Sequence, residues 1–251
     1  ITRRQLVLGV QQGVMVGRYI LRDILVETQR HRVFMARGLA GGGTVEIKLM
    51  QGEQRLHRLD AGESGNPYVR ELRLATEAHC ACIVPHRDAG TTGTGEHYLV
   101  RQWSEGLTVR DELAAHTRFD LPDAVAIVAD AATAAESLHH LGYVQRDLRP
   151  DVLITRRREG SDLLYHTLLV DLEASIRLGA TGMTYPSGEL VADPMYMAPE
   201  LPAGGPVTAA TDVYALGALL YECLTGRPAL LGVGDTPDLK IEYLMGRGPL
   251  P

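Results

Sequence analysis

The first residue to question is a lysine. Of the 25 lysines and arginines, only Lys48 and Lys240 are lysine, so a position that keeps lysine goes against the chain's own habit. Lys48 ends the string Val45-Glu46-Ile47-Lys48, and Glu71 stands twenty-three residues on. Such a pair can orient an anionic ligand, or it can simply brace a fold. Two further acids sit among loop residues. Asp147 lies within Gln145-Arg146-Asp147-Leu148-Arg149-Pro150, and Asp171 follows the apolar stretch 167–170. Loop carboxylates accept protons, or they satisfy backbone amides. The run His79-Cys80-Ala81-Cys82, with His86 beyond it, carries zinc-type donors. It lacks the second separated pair of a structural zinc site, so a plain turn is the better reading and no metal is assigned.

These residues need elements to position them. Residues 19–26, 32–37, 44–50, 83–89 and 98–102 read as strands, bounded by turn-rich stretches such as Gly41-Gly42-Gly43. Pro67 opens a helix whose Val69, Leu72 and Ala75 or Thr76 share one face. After Gly106 the pattern turns helical. Pro122 opens a long helix with Val125, Val128, Ala132, Ala135 and Leu138 toward a core, ended by Gly142. Residues 152–155 and 167–170 form a small strand pair joined by a turn at Arg156-Arg157-Arg158. An apolar helix spans 212–225, and a weaker one spans 238–245.

In this order and context, the Lys48 string, Glu71, the Asp147 loop, Asp171 and Ala198-Pro199-Glu200 ahead of Asp212 resemble the protein-kinase signature. The likeness is to bacterial Ser/Thr kinases of the eukaryotic type, and residues 195–200 and 211–228 follow that pattern most closely. The resemblance covers about residues 19–245. It implies an α+β, bilobal protein-kinase-like fold with a five-stranded N-lobe and one helix over residues 1–103, including an N-terminal extension 1–16. A mainly helical C-lobe would span 104–251 and lack the family's last helices. It further implies that Lys48 with Glu71 would orient the α and β phosphates of ATP. Asp171 would hold Mg2+, and Asp147 would take the substrate hydroxyl proton. Glu200 would brace a loop, and Asp212 would anchor the backbone of the Asp147 loop.

The departures from that pattern matter as much. The phosphate-covering loop falls on Val26-Glu27-Thr28-Gln29-Arg30-His31-Arg32-Val33, which has no glycine. The metal-holding asparagine falls on Val152, and Leu172-Glu173 replaces the aromatic and glycine after Asp171. Gln145 stands for the histidine before Arg146, Arg149 for the lysine after Asp147, and Asp193 for a threonine. The last two are expected to pair with each other. On a strand Glu46 shares the face of Lys48, which in the family lines the adenine slot, and Arg101 falls at the back of that pocket. Each isolated buried ion costs several kcal/mol, so Glu46 is expected to bond Arg101, Lys48 or both, leaving Glu71 free to lose Lys48.

Composition bounds the remainder. A chain of 251 residues with a net charge of -6 and no basic block argues against nucleic acid. No apolar run approaches the roughly 18 residues that span a bilayer. Three cysteines make no disulfide framework, which suits a reducing cytoplasm. The expectation is a catalytically impaired kinase-like domain serving as a scaffold or regulator, with no cofactor. Its partner would be a protein or further domain at the shortened C-lobe. The alternatives are an active Ser/Thr kinase using ATP and Mg2+, or an ATP sensor without turnover.

Overall fold

The structure is a computed structural model that describes residues 14–50, 67–157, 165–182 and 190–246. Most of the N-terminal extension, Arg158 and the last five residues lie outside the described range. The chain divides into two compact units.

The first unit holds β1 (Met15–Val16), β2 (Tyr19–Glu27), β3 (His31–Gly38), β4 (Thr44–Met50), α1 (Pro67–Glu77), β5 (His86–Thr91) and β6 (His97–Gln102). The strands form one antiparallel sheet in the order β1-β2-β3-β4-β6-β5. The five expected strands are therefore present, with β1 added at one edge. Alternation decides the two faces of this sheet. Val45, Ile47 and Leu49 of β4 enter an apolar core with Leu21, Phe34, Ala36, Tyr98 and Val100. Each of the valine, leucine, isoleucine and phenylalanine side chains contributes about 1.5–3 kcal/mol on leaving water. The opposite face of β4 carries Glu46 and Lys48. There Met50 and Leu99 receive Tyr68 and Leu72 from α1.

Two expectations change in this unit. The core-facing residues of α1 are Tyr68, Glu71 and Leu74, while Val69 is 57% exposed. The helix turns so that Glu71 reaches a buried cation, a choice that apolar periodicity does not detect. The fourth expected strand begins late, at His86. Ile83 instead bridges Leu169, and the Cys82 carbonyl accepts the Leu169 amide at 2.8 Å. Residues 77–83 accordingly belong with the second unit.

The second unit comprises β7 (Leu107–Thr108), α2 (Val109–His116), α3 (Leu121–His140), β8 (Tyr143–Val144), a 3-10 turn (Pro150–Val152), β9 (Leu153–Arg157), β10 (Tyr165–Leu169), β11 (Ile176–Arg177), α4 (Ala209–Thr225) and α5 (Pro237–Leu244). β9 and β10 pair antiparallel with β7 beyond β9, and β11 pairs with β8. Arg156 and Arg157 thus belong to β9 rather than to a turn. α3 packs against β10 and α4. Its buried stripe is Ala124, Ile127, Ala131, Ala134, Ala135 and Leu138, with Val125 49% exposed. So many α3 residues are apolar that composition alone does not select the face, and the stripe falls one residue from the expected one at its start. α4 opens on a reciprocal cap between Thr208 and Thr211 and closes at Gly226, whose φ is +74°. A Cβ there would meet the Thr117 carbonyl oxygen at 2.1 Å, so only glycine fits. Among the described residues no helix is long and apolar enough to cross a membrane.

Candidate functional site

On the charged face of the first sheet, register sets Glu46 directly opposite Arg101 and Lys48 opposite Leu99. Directly opposed residues share a face. The Arg101 guanidinium accordingly donates to the Glu46 carboxylate, and both side chains are at most 5% exposed. Lys48 Nζ donates to Glu71 Oε2 at 2.9 Å, with neither side chain exposed, and sits 5.7 Å from the centre of the Tyr68 ring. Glu71 Oε1 lies 3.8 Å from the second Arg101 nitrogen and 3.5 Å from His86 Nε2. Among the described residues, two carboxylates and two cations thus share one buried cluster. The Lys48–Glu71 contact, which a Glu46–Arg101 pair leaves Glu71 free to lose, is kept. One guanidinium cannot neutralise two buried carboxylates, and among the described residues Lys48 supplies the second cation.

Where the family has a glycine-rich loop, β2 and β3 are joined by Thr28, Gln29 and Arg30. Thr28 Oγ1 accepts the amides of Arg30 at 3.2 Å and His31 at 3.0 Å. Two amides of this hairpin tip are therefore engaged with the protein's own hydroxyl.

In the second unit, Asp212 at the start of α4 is fully buried. Its carboxylate accepts the Gln145 and Arg146 amides at 2.9 and 2.8 Å and the His139 imidazole at 2.7 Å. The anchoring matters because Arg146 has φ of +72°, in the left-handed region that a residue with a Cβ rarely enters. Gln145 follows into the loop, accepting the Asp147 amide at 2.6 Å and donating to the Asp171 carbonyl at 3.1 Å. Asp171 Oδ1 accepts the Glu173 amide at 2.9 Å, closing a local turn. Val152 is buried in the 3-10 turn and offers no donor atom. Glu200 accepts from the Thr211 hydroxyl at 2.6 Å.

Asp147 is held at both oxygens. Oδ2 accepts Arg149 Nε at 3.0 Å, and Oδ1 accepts the Asp193 amide at 3.2 Å. The expected Arg149–Asp193 ion pair does not form. The other side of the Arg149 guanidinium meets Asp151 at 3.0 Å, while the Asp193 carboxylate turns back to the Met195 amide at 2.9 Å. Two nearer acids outcompete the distant one. Asp151 also lies 3.3 Å from Arg110, which in turn donates to Glu222 and, at 2.7 Å, to the Tyr196 hydroxyl. The Tyr196 hydroxyl itself donates to Glu222. A polar chain thus runs from Asp147 to α4. Sequence reasoning missed Arg110, Asp151, Tyr196 and Glu222, and with α2 unrecognised no spacing signal pointed to Arg110.

Burial pushes the Asp147 carboxyl up to about 6, against the opposing pull of Arg149 and the Asp193 amide. A raised carboxyl favours the protonated folded state. Its stabilising contribution is therefore complete below the ordinary value of 3.8 and is lost as pH climbs through about 6. Asp147→Asn removes this titration. Wild-type stability minus that of the variant should fall by about 2.4 kcal/mol between pH 4 and pH 7 in urea melts, at 1.36 kcal/mol per unit of pKa shift. A flat difference would show that the carboxyl ionises freely.

The model of the protein kinase domain family matches residues 30–244. Serine/threonine-protein kinase PknH of Mycobacterium bovis is 32% identical over 246 residues, which is 95% of this chain and 38% of that protein. Serine/threonine-protein kinase PknB of Mycobacterium leprae is 29% identical over 243 residues, 93% of this chain and 36% of that protein. The chain spans little more than a third of the length of these relatives.

Proposed function

Because the chain belongs to the protein kinase family, with bacterial Ser/Thr kinases among its relatives, we propose that it is a catalytically impaired member acting as a regulatory or scaffolding module. The observation that carries this reading is the buried pair of Glu46 and Arg101. It stands on the strand face where the family receives adenine. Micromolar nucleotide binding amounts to about 8 kcal/mol in total, and displacing a buried ion pair would use several of those. The Thr28-bound hairpin amides, the absent donor at Val152 and the double engagement of Asp147 support the same reading. Phosphoryl transfer needs amides for phosphate, ligands for metal and an available carboxylate.

In this reading Lys48 with Glu71 keeps a structural role, and Asp171 is a loop acid without a metal ion. The partner is a protein or another domain. Val213, Tyr214 and Tyr221 are exposed on α4 and form apolar surface of the kind that contacts other proteins.

The test is a thermal melt with millimolar ATP, alone and with Mg2+ or Mn2+. No shift is expected. A ligand at about 100 times its Kd stabilises by roughly 2.7 kcal/mol, so a metal-dependent rise would overturn the reading. One observation favours the competing reading, an active Ser/Thr kinase using ATP and Mg2+. A carboxyl near 6 is better matched to proton transfer at neutral pH than an ordinary aspartate. Transfer of labelled γ-phosphate to a protein hydroxyl, lost in Asp147→Asn, would establish it.

A further inference from the structure

Away from the Asp147 loop, three segments of the second unit bring a thiol, a carboxylate and an imidazole together. Cys82 lies in the loop before Ile83, Asp130 lies on α3 and His166 lies on β10. One ligand atom from each falls within 4.8 Å of the other two. Cys82 Sγ is 3.7 Å from Asp130 Oδ1, and His166 Nδ1 is 3.0 Å from Asp130 Oδ2. We propose that Cys82, Asp130 and His166 form a binding site for a divalent cation of the zinc class, with Cys80 as the fourth ligand. These are not the residues that the sequence run 79–86 suggests. His86 belongs to the strand unit, where it accompanies Glu71.

The geometry suits the ion. Zinc bonds sulfur at about 2.3 Å and nitrogen or oxygen at about 2.0–2.1 Å, so tetrahedral neighbours stand about 3.3–3.6 Å apart, or about 3.8 Å for two sulfurs. The 3.7 and 3.0 Å separations lie on either side of that span and the third is within 4.8 Å, so modest side-chain shifts would close the set. The backbone holds each donor in place. The Cys82 carbonyl accepts the Leu169 amide at 2.8 Å, fastening the cysteine loop to β10. Asp130 Oδ2 also accepts the Thr167 amide at 2.8 Å, fastening α3 to β10 beside His166. A carboxylate serving only as a cap for that amide would need neither sulfur nor imidazole nearby. Cys80 Sγ is 3.4 Å from the Cys82 amide, near enough for a side-chain rotation to complete the set. Two of the chain's three cysteines therefore meet at this point.

Binding balances in protons. Each cysteine releases one proton to solvent as its sulfur bonds the metal. The imidazole binds through a ring nitrogen that carries no hydrogen, its hydrogen residing on the other nitrogen, and Asp130 binds through a carboxylate oxygen. Three anionic ligands and one neutral ligand then surround a dication.

The experiment titrates the tag-free, chelator-treated chain with Co2+ and records its absorption. The expected result is a near-ultraviolet sulfur-to-cobalt band with visible tetrahedral bands. These should saturate at one Co2+ per chain and be bleached by one equivalent of Zn2+. Cys82→Ser and Cys80→Ser should each roughly halve the sulfur band, and the double variant should abolish it. His166→Gln or Asp130→Asn should weaken binding at least tenfold, in line with losses at metal sites. If Cys82→Ser fails to fold, the partly exposed His166→Gln variant carries the test. Absence of a sulfur band in the wild type, or equal Co2+ affinity in His166→Gln, overturns the site. A sulfur band unchanged by Cys80→Ser removes Cys80 from it.

Discussion

Glu46→Ala should lower the unfolding free energy by about 3–5 kcal/mol, the usual result of breaking a buried ion pair from one side. Glu46→Ala combined with Arg101→Met should cost much less, about 1–2 kcal/mol. The difference follows from charge in a space that excludes water. In the native cluster Glu46 and Glu71 face Arg101 and Lys48. Among the described residues, the single variant leaves two cations against one carboxylate, whereas the double variant leaves Lys48 with Glu71 and replaces the guanidinium by an apolar chain of similar length. Arg101→Met alone should be as damaging as Glu46→Ala, with the opposite excess charge. Urea melts of the four proteins form a double-mutant cycle, and a coupling below about 0.5 kcal/mol would show that Glu46 and Arg101 act independently.

Asp212→Ala should be at least as severe. Its carboxylate serves two buried backbone amides and His139, and each buried amide left without an acceptor costs about 1–3 kcal/mol. The left-handed Arg146 would also lose its anchor, and such a backbone state costs about 1–3 kcal/mol to maintain. A total loss of about 3–5 kcal/mol is a large share of the 5–15 kcal/mol that folds a typical domain. His139→Ala, which removes only one partly exposed partner, should cost about 1 kcal/mol and provides the comparison. Equal melts for the two variants would place the anchoring elsewhere.

The strands of the first unit and the position of most helices were legible because alternation, caps and glycine stops are local signals. Gly226 closes α4 through chemistry that sequence displays directly, whereas the Thr208 cap starts the helix three residues before the position 212 that apolarity marks. Helix faces were less legible. α1 turns on Glu71, a charged residue that hydrophobic counting discards, and α3 has so many small apolar residues that neighbouring faces look alike. At the candidate site, the Glu46–Arg101 contact followed from strand parity and the cost of buried charge. The Arg149 contact did not, because Asp151 on the 3-10 turn and Asp147 in the adjoining loop compete for it at closer range than Asp193. The further path through Arg110 to Glu222 joins residues 112 positions apart, a distance at which a single sequence carries no pairing signal.

The buried Glu46–Arg101 pair also acts on the history of the chain as a ratchet. Once both charges are in place, whichever reverts first passes through a protein with an excess buried ion, and selection removes that intermediate before the second change can rescue it. The route back to an uncharged pocket is a valley rather than a slope, crossed only by a simultaneous double change or on a background made more stable elsewhere. In descendants of this chain the two positions should therefore be exchanged together or not at all, even if nothing about the molecule's activity is under selection.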